Sequence, residues 1–506
     1  MPNLVDSTSK SPTKRALALD ALRGFAILTM VLSGVVPRKI LPAWMYHAQL
    51  PPPSHTFNPN LPGLTWVDLV FPLFLFSMGA AIPLALSRRL DQGWSTKKII
   101  LSILKRGLLL GSFAIFLQHI RPFTIHQSPN PQTWRLAMLG FVVLFLMFVR
   151  WPKSWHIRLQ NSLTMTAWGL GIWLLYKLGD PDGTGFSLEQ SDIILVILTN
   201  IAVFSSIIWL FTCNYPWLRL GLLGLLLALN LSANTDGWIA TLWSVSPAPW
   251  IFRFDYLKYL LIGIPGTLVG DLIHSWLQST DTGRQRYGDA ERLNDINTGE
   301  KKFSNTLSNE RLVSNHWQTT RFLGIIGLML LMIVVLLIGL QARLVWQTTL
   351  LSIILCISGF FLFSKPVNAT EKLLNTLYRW GVYWLGLGLC FEPYQGGIKK
   401  DNATMSYFFT TTGMAIFILI LLIILIDVFQ KQSWLQLLID NGMNPMIAYV
   451  AFANVLWPIL VLTEWNDQIN EMTATPVAGF FRGLVYTLII AYFVSLFTRL
   501  KLFLKT

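Results

Sequence analysis

Cysteine is scarce in this chain: the three present, Cys213, Cys356 and Cys390, all fall in or beside apolar runs. No Cys-x-x-Cys pair or Cys/His ligand spacing occurs, so neither a disulfide framework nor a zinc site is indicated, and no metal is expected. Charge is sparse too. Only 13% of residues are Asp, Glu, Lys or Arg, against 53% hydrophobic, which removes the chain from the soluble globular class. The phosphate-loop pattern, the GxSxG elbow and the HExxH helix are all missing, leaving ATP-driven pumping and zinc hydrolysis without support. A net charge of +14 would suggest nucleic acid if it formed one patch. The basic residues lie instead in short loops between apolar runs, so no nucleic-acid partner is expected.

What the chain does have is apolar runs near twenty residues long, each sufficient to cross a bilayer as a helix. They predict membrane helices at 17–36, 65–87, 99–119, 134–150, 162–178, 191–212, 217–233, 255–277, 322–342, 345–364, 372–391, 405–428, 444–463 and 475–498. With some of these merged or re-entrant, the expectation is an all-α polytopic transmembrane bundle of about 11–14 membrane helices. Tryptophans near segment ends, such as Trp44, Trp66, Trp134 and Trp250, suit anchoring at the lipid–water interface. Arg88, Arg89, Lys97, Lys98, Lys105 and Arg106 share one side with Arg150, Lys153, Arg158, the 284–311 cluster, Lys365, Lys372, Arg499, Lys501 and Lys505. Opposite loops are poor in Lys/Arg or acidic, as in Asp180, Asp182, Glu189, Glu464, Asp467 and Glu471. By the positive-inside rule both termini are expected in the cytoplasm. The polar stretch 279–320 reads as a cytoplasmic linker. It divides the chain into a tail, 1–16, a first helix group, 17–278, and a second, 321–506.

The stretch from Asp20 to Gly79 concentrates the chemistry. Two apolar runs with acidic starts flank a loop, 37–64, that holds His47 and His55 and is stiffened by Pro51-Pro52-Pro53, Pro59 and Pro62. Histidine can take a proton from an amine or hydroxyl nucleophile, so His47 is the candidate base, with His55 as its backup; a solvated loop histidine is the plain alternative. Asp68, at the start of the second run, has two readings. It caps a helix, favoured by the dipole at roughly 0.3–1 kcal/mol, or it orients a nearby imidazole. Asp20 and Arg23 stand three apart and share a helix face; Arg23 can also meet a cofactor phosphate. Lys399 and Lys400 lie on the expected extracytoplasmic side against the orientation rule, which asks for an anionic ligand or an ion pair with Asp401 or Glu392. Asn444 followed by Pro445 is ordinary helix-start grammar. Asn441 and Asp440 are left as candidates to hydrogen-bond a ligand, and with the two lysines Asn441 and Asn444 form the expected substrate-binding set.

At these residues the chain resembles the heparan-alpha-glucosaminide N-acetyltransferase family of integral-membrane acyltransferases, in its bacterial branch. The resemblance rests on Leu19-Asp20-Ala21-Leu22-Arg23-Gly24-Phe25-Ala26-Ile27, Trp44-Met45-Tyr46-His47-Ala48, and Gly63-Leu64-Thr65-Trp66-Val67-Asp68-Leu69-Val70-Phe71-Pro72. A looser match is Asn441-Gly442-Met443-Asn444-Pro445. The resemblance implies transfer of an acetyl group from cytosolic acetyl-CoA, a co-substrate, to an amino sugar or other saccharide across a bacterial inner membrane. It places the active histidine at His47, and a homodimer is compatible with it; Asp20 and Arg23 are the candidate cofactor-binding residues on the phosphate reading given above. The chain departs from the family where an asparagine follows Met-Val-x-Val, reading Met30-Val31-Leu32-Ser33-Gly34. A transporter or flippase of glycans or lipid-linked sugars is the competing class, disfavoured by the lack of internal repeats.

Overall fold

The computed structural model describes residues 15–152, 154–178, 186–296 and 316–504 of the chain. Most of the expected tail and the core of the expected linker lie outside the described residues, as do Lys153, Asp180, Asp182, Lys301, Lys302, Arg311 and Lys505.

Helices occupy all fourteen positions at which apolar runs predict them. Their ends follow ordinary capping chemistry. Asn130 precedes Pro131 and accepts from the Thr133 amide, while Asp192 accepts from the Leu195 amide. Eleven of the described helices are long and apolar enough to cross a membrane. Pro216–Ser232 is too short at 17 residues, and Ile157–Lys177 and Ala369–Cys390 are long enough but too polar. The protein is thus an all-helical, multi-pass membrane protein. The strands among the described residues are Val149–Arg150 and Phe503–Leu504, which pair with each other antiparallel.

Five helices position the site: α1 (Leu17–Val35), α2 (Trp66–Asp91), α3 (Leu260–Ile296), α4 (Met405–Ile423) and α5 (Gln436–Met443). Helix α3 runs on to Ile296, well into the stretch whose composition suggests a linker. Helix α4 is the axis of the bundle. All nineteen of its residues are buried, and it packs on α1, α2 and α3. Helices from before and after the 279–320 stretch therefore share one core.

Two pairs of glycines bring backbones into contact. A Cβ on Gly24 of α1 would fall 1.8 Å from the Leu438 carbonyl oxygen, and one on Gly442 of α5 would fall 1.7 Å from the Asp20 carbonyl oxygen. Helix α2 meets α3 the same way, a Cβ on Gly79 reaching within 2.5 Å of the Gly263 carbonyl oxygen. Such approaches require the absence of a side chain, the small-residue packing by which membrane helices gain van der Waals contact. Because α1 and α2 run in opposite directions, Asp20, Arg23 and Arg88 lie toward one end of the bundle, and the 36–65 loop and Asp68 lie at the other.

Candidate functional site

Asp68 is at the third position of α2, where its carboxylate bends back over the helix start. Its Oδ2 accepts hydrogen bonds from the Thr65 amide at 3.0 Å and the Ala48 amide at 3.1 Å. The Thr65 hydroxyl lies 3.0 Å from the same oxygen and 2.8 Å from the Tyr46 carbonyl, and its one proton serves either. The other oxygen, Oδ1, is 2.7 Å from His47 Nδ1. One carboxylate therefore does both tasks that its position in the sequence suggests: Oδ2 caps the helix and pins the loop, while Oδ1 orients the histidine.

The contact fixes the ring's chemistry. An ionised carboxylate only accepts, so Nδ1 carries the proton and Nε2 is the basic nitrogen. Asp68 is buried and His47 about one-third exposed, so the assembly is anchored inside and open at its reactive end. The main chain of Asp68 is also held: the Tyr407 hydroxyl at the start of α4 donates to its carbonyl oxygen at 2.8 Å.

A second loop closes on the first. The Gly63 amide donates to the Ile398 carbonyl at 2.8 Å, and the Gln49 side chain exchanges two hydrogen bonds with the main chain of Asp401. This docking carries Lys400 to His47, its Nζ 3.3 Å from Nδ1 and 3.4 Å from Nε2. With Nδ1 donating to Asp68, the ammonium's acceptor is Nε2. The lysine's partner is thus the imidazole; neither Lys399 nor Lys400 pairs with Asp401 or Glu392 among the described residues. Lys399 Nζ lies beside Gly396 instead.

His55 does not join the pair. It has a positive φ of 50° and sets its ring edge-on to Tyr46, centroids 4.5 Å apart. Its Nε2, like the Trp66 Nε1 nearby in the chain, is buried with no hydrogen-bond partner among the described residues. Ser33 donates its hydroxyl to the Met30 carbonyl of its own helix.

Asp20 and Arg23 lie toward the other end and line a cavity of about 570 Å³ with Arg15, Arg88, Asp91 and His274. The expected Asp20–Arg23 contact is present but long, at 3.5 Å; Arg15 is the closer partner of Asp20, at 2.5 Å. Arg23 spends most of its donors on structure, giving to the Gly442 carbonyl at 3.2 Å and the Ser77 carbonyl at 3.3 Å. In the sequence Arg88 counts only as an orienting loop cation, and nothing local marks Arg15 or Arg88 as lining a cavity. Three guanidinium side chains, Arg15, Arg23 and Arg88, surround the space against two carboxylates, Asp20 and Asp91, a net positive lining that can hold an anionic group.

The expected substrate-binding set is split by the fold. Lys399 and Lys400 are at the His47 end, whereas Asn441 and Asn444 flank Gly442, which touches Asp20. Asn441 donates to the Leu437 and Ala491 carbonyls. Asn444 makes no side-chain cap; its amide donates to the Leu502 carbonyl and its oxygen accepts from the Leu504 amide, holding the short strand that follows the last long helix. Asp440 receives the Ser495 hydroxyl at 2.5 Å and lies 3.6 Å from Arg499. These three residues stitch α5 to the helix Pro476–Arg499 and its extension, and do not meet the lysines.

Heparan-alpha-glucosaminide N-acetyltransferase of Mus musculus is 29% identical over 166 residues, which cover 31% of this chain and 23% of that protein. The chain thus matches less than a quarter of that relative's length. Residues 15–273, just over half of the chain and spanning both the His47–Asp68 pair and the Arg23 cavity, match the family described as Domain of unknown function (DUF5009). The chain belongs to that family.

Proposed function

We propose that this protein is a membrane acetyltransferase that takes an acetyl group from acetyl-CoA at the Arg23 end and delivers it to an amino sugar or other saccharide at the His47 end. The observation that carries the reading is the His47–Asp68 contact at 2.7 Å, which leaves Nε2 as the basic nitrogen of a partly exposed ring. The distant likeness to a heparan-alpha-glucosaminide N-acetyltransferase supports the reaction class.

In this scheme Arg15, Arg23 and Arg88 hold phosphates of the donor. The acceptor displaces Lys400 from Nε2, and His47 takes a proton from its amine as nitrogen attacks the thioester carbonyl. The new C–N bond forms, the C–S bond breaks, and the thiolate of coenzyme A is protonated. His55 Nε2 and Trp66 Nε1 offer further hydrogen bonds to a polyhydroxy acceptor. Arg23 contacts Ser77, nine residues along α2 from Asp68, so the two sites are separated by roughly 14 Å at 1.5 Å per residue. We place the Arg23 end in the cytoplasm and His47 outside, in a bacterial inner membrane with both termini cytoplasmic.

Sealed proteoliposomes of one orientation, given labelled acetyl-CoA on one face and glucosamine on the other, test this. Acetylglucosamine should form when the donor is on the Arg23 face and fail when the two are exchanged. Transfer that ignores the face of the donor would overturn the vectorial scheme, and sugar flux without acetyl-CoA would replace it with a transporter. A labelled acetyl-enzyme trapped without acceptor would show that the acetyl group rests on His47 in passing.

A further inference from the structure

Pro72 lies inside α2, four residues after Asp68. Proline has no N–H, so the helical bond that would end on the Asp68 carbonyl oxygen cannot form. A buried carbonyl left open in this way costs free energy unless another donor fills it. The donor is Tyr407: fully buried at the start of α4, it gives its hydroxyl to that oxygen at 2.8 Å. The missing amide on one helix and the added hydroxyl on another are complementary parts of one joint.

The joint bears directly on the site. The peptide that receives the Tyr407 hydroxyl is that of Asp68, and the Asp68 side chain reaches His47 at 2.7 Å. Helix α4 is buried along its length, so it is a firm support. A helix start freed of its i,i+4 bond by proline can tilt, and a tilt at residue 68 moves the carboxylate relative to the loop that holds His47. We propose that Tyr407 is a positioning residue: its hydroxyl, filling the vacancy made by Pro72, sets the peptide of Asp68 and through it the orientation of His47. The consequence for rate rests on the proposed acetyl transfer; the consequence for the imidazole does not.

The test uses full-length protein in detergent and two substitutions. Tyr407→Phe removes only the hydroxyl. It should lower kcat for transfer about tenfold, the factor that ~1.4 kcal/mol converts to, while KM for acetyl-CoA stays within about twofold. The His47 ring signals in ¹⁵N-histidine spectra, assigned by their loss in His47→Ala, should show a changed tautomer ratio. Pro72→Ala in the Tyr407→Phe background restores an amide aimed at the Asp68 carbonyl. The double variant should recover the tautomer ratio and come within about threefold of the wild-type kcat, while Pro72→Ala alone should change little. Unchanged His47 signals in Tyr407→Phe, or a double variant no closer to wild type than the single one, would overturn the inference. A wild-type protein without transfer activity would sink the proposed reaction, and the spectra would still decide the role of Tyr407.

Discussion

Replacing Asp68 with asparagine changes one atom in size by little and the hydrogen-bond pattern by much. The native carboxylate only accepts, taking bonds from His47 Nδ1, the Ala48 amide and the Thr65 amide. Asparagine offers one acceptor and one donor, and each placement fails differently. With its oxygen toward Ala48 and Thr65, its NH₂ faces Nδ1, which must then give up its proton. The imidazole adopts the other tautomer and Nε2 is no longer basic. With its oxygen toward His47, its NH₂ faces two backbone N–H groups in a buried site, and each donor left unpaired costs about 1–3 kcal/mol. The first placement preserves the loop, so it should dominate, and rate should be lost more than stability. Loss of tautomer control in an acyl-transfer site lowers rate by up to about 10⁴-fold. The check is labelled-acetyl transfer to glucosamine in detergent beside thermal unfolding of the same preparation. We expect a fall of about 10²–10⁴-fold in rate with a small change in melting. A variant within twofold of wild type would refute the assignment of Asp68 as the residue that orients His47.

His47→Ala should abolish transfer and His55→Ala should reduce it only modestly, because His55 packs on Tyr46 and does not meet Asp68; the reverse order in the same assay would move the role to His55. Arg15→Ala and Arg88→Ala should each weaken acetyl-CoA binding by about 1.5–3 kcal/mol, the worth of a hydrogen bond to a charged group, as read by calorimetric titration. Arg23→Ala should lower the melting temperature as well, since its donors tie α1 to α2 and α5; unchanged melting would contradict that structural role. Gly442→Ala should destabilise the protein by about 1–3 kcal/mol or more through overpacking, because its methyl would meet the Asp20 carbonyl, and a normal melting curve would show that α1 and α5 yield easily.

Helix positions were legible in the chain because each apolar run is long, and length with hydropathy is a local property. The pairing of His47 with Asp68 was half legible. Twenty-one residues separate them, and the proline-stiffened loop suggested a fixed histidine, but only the fold shows that one carboxylate oxygen caps while the other orients. Lys400 was visible as a cation on the wrong side. Its actual partner, a histidine 353 residues earlier, depends on two loops docking, which no spacing encodes. That Asn441 and Asn444 lie apart from the lysines was hidden for a related reason. An amide beside a helix start reads the same at either end of the bundle, and the carbonyls these two donate to lie some 50–58 residues onward. Tyr407 left a signal in Pro72 alone, since a proline inside an apolar helix announces a vacant carbonyl without saying which residue fills it.

The burial of α4 also constrains how the molecule is made. It is apolar and long enough to span a bilayer by itself, yet in the finished protein every one of its residues is buried among other helices. It emerges from the ribosome after α1, α2 and α3, which it must eventually join along their length. Those earlier helices therefore wait with an unfilled seam, and the late arrival has to leave the lipid and enter it. A nascent chain stalled before residue 405 would hold that seam open, where quality-control proteases or insertion chaperones could recognise it; the completed protein would hide it.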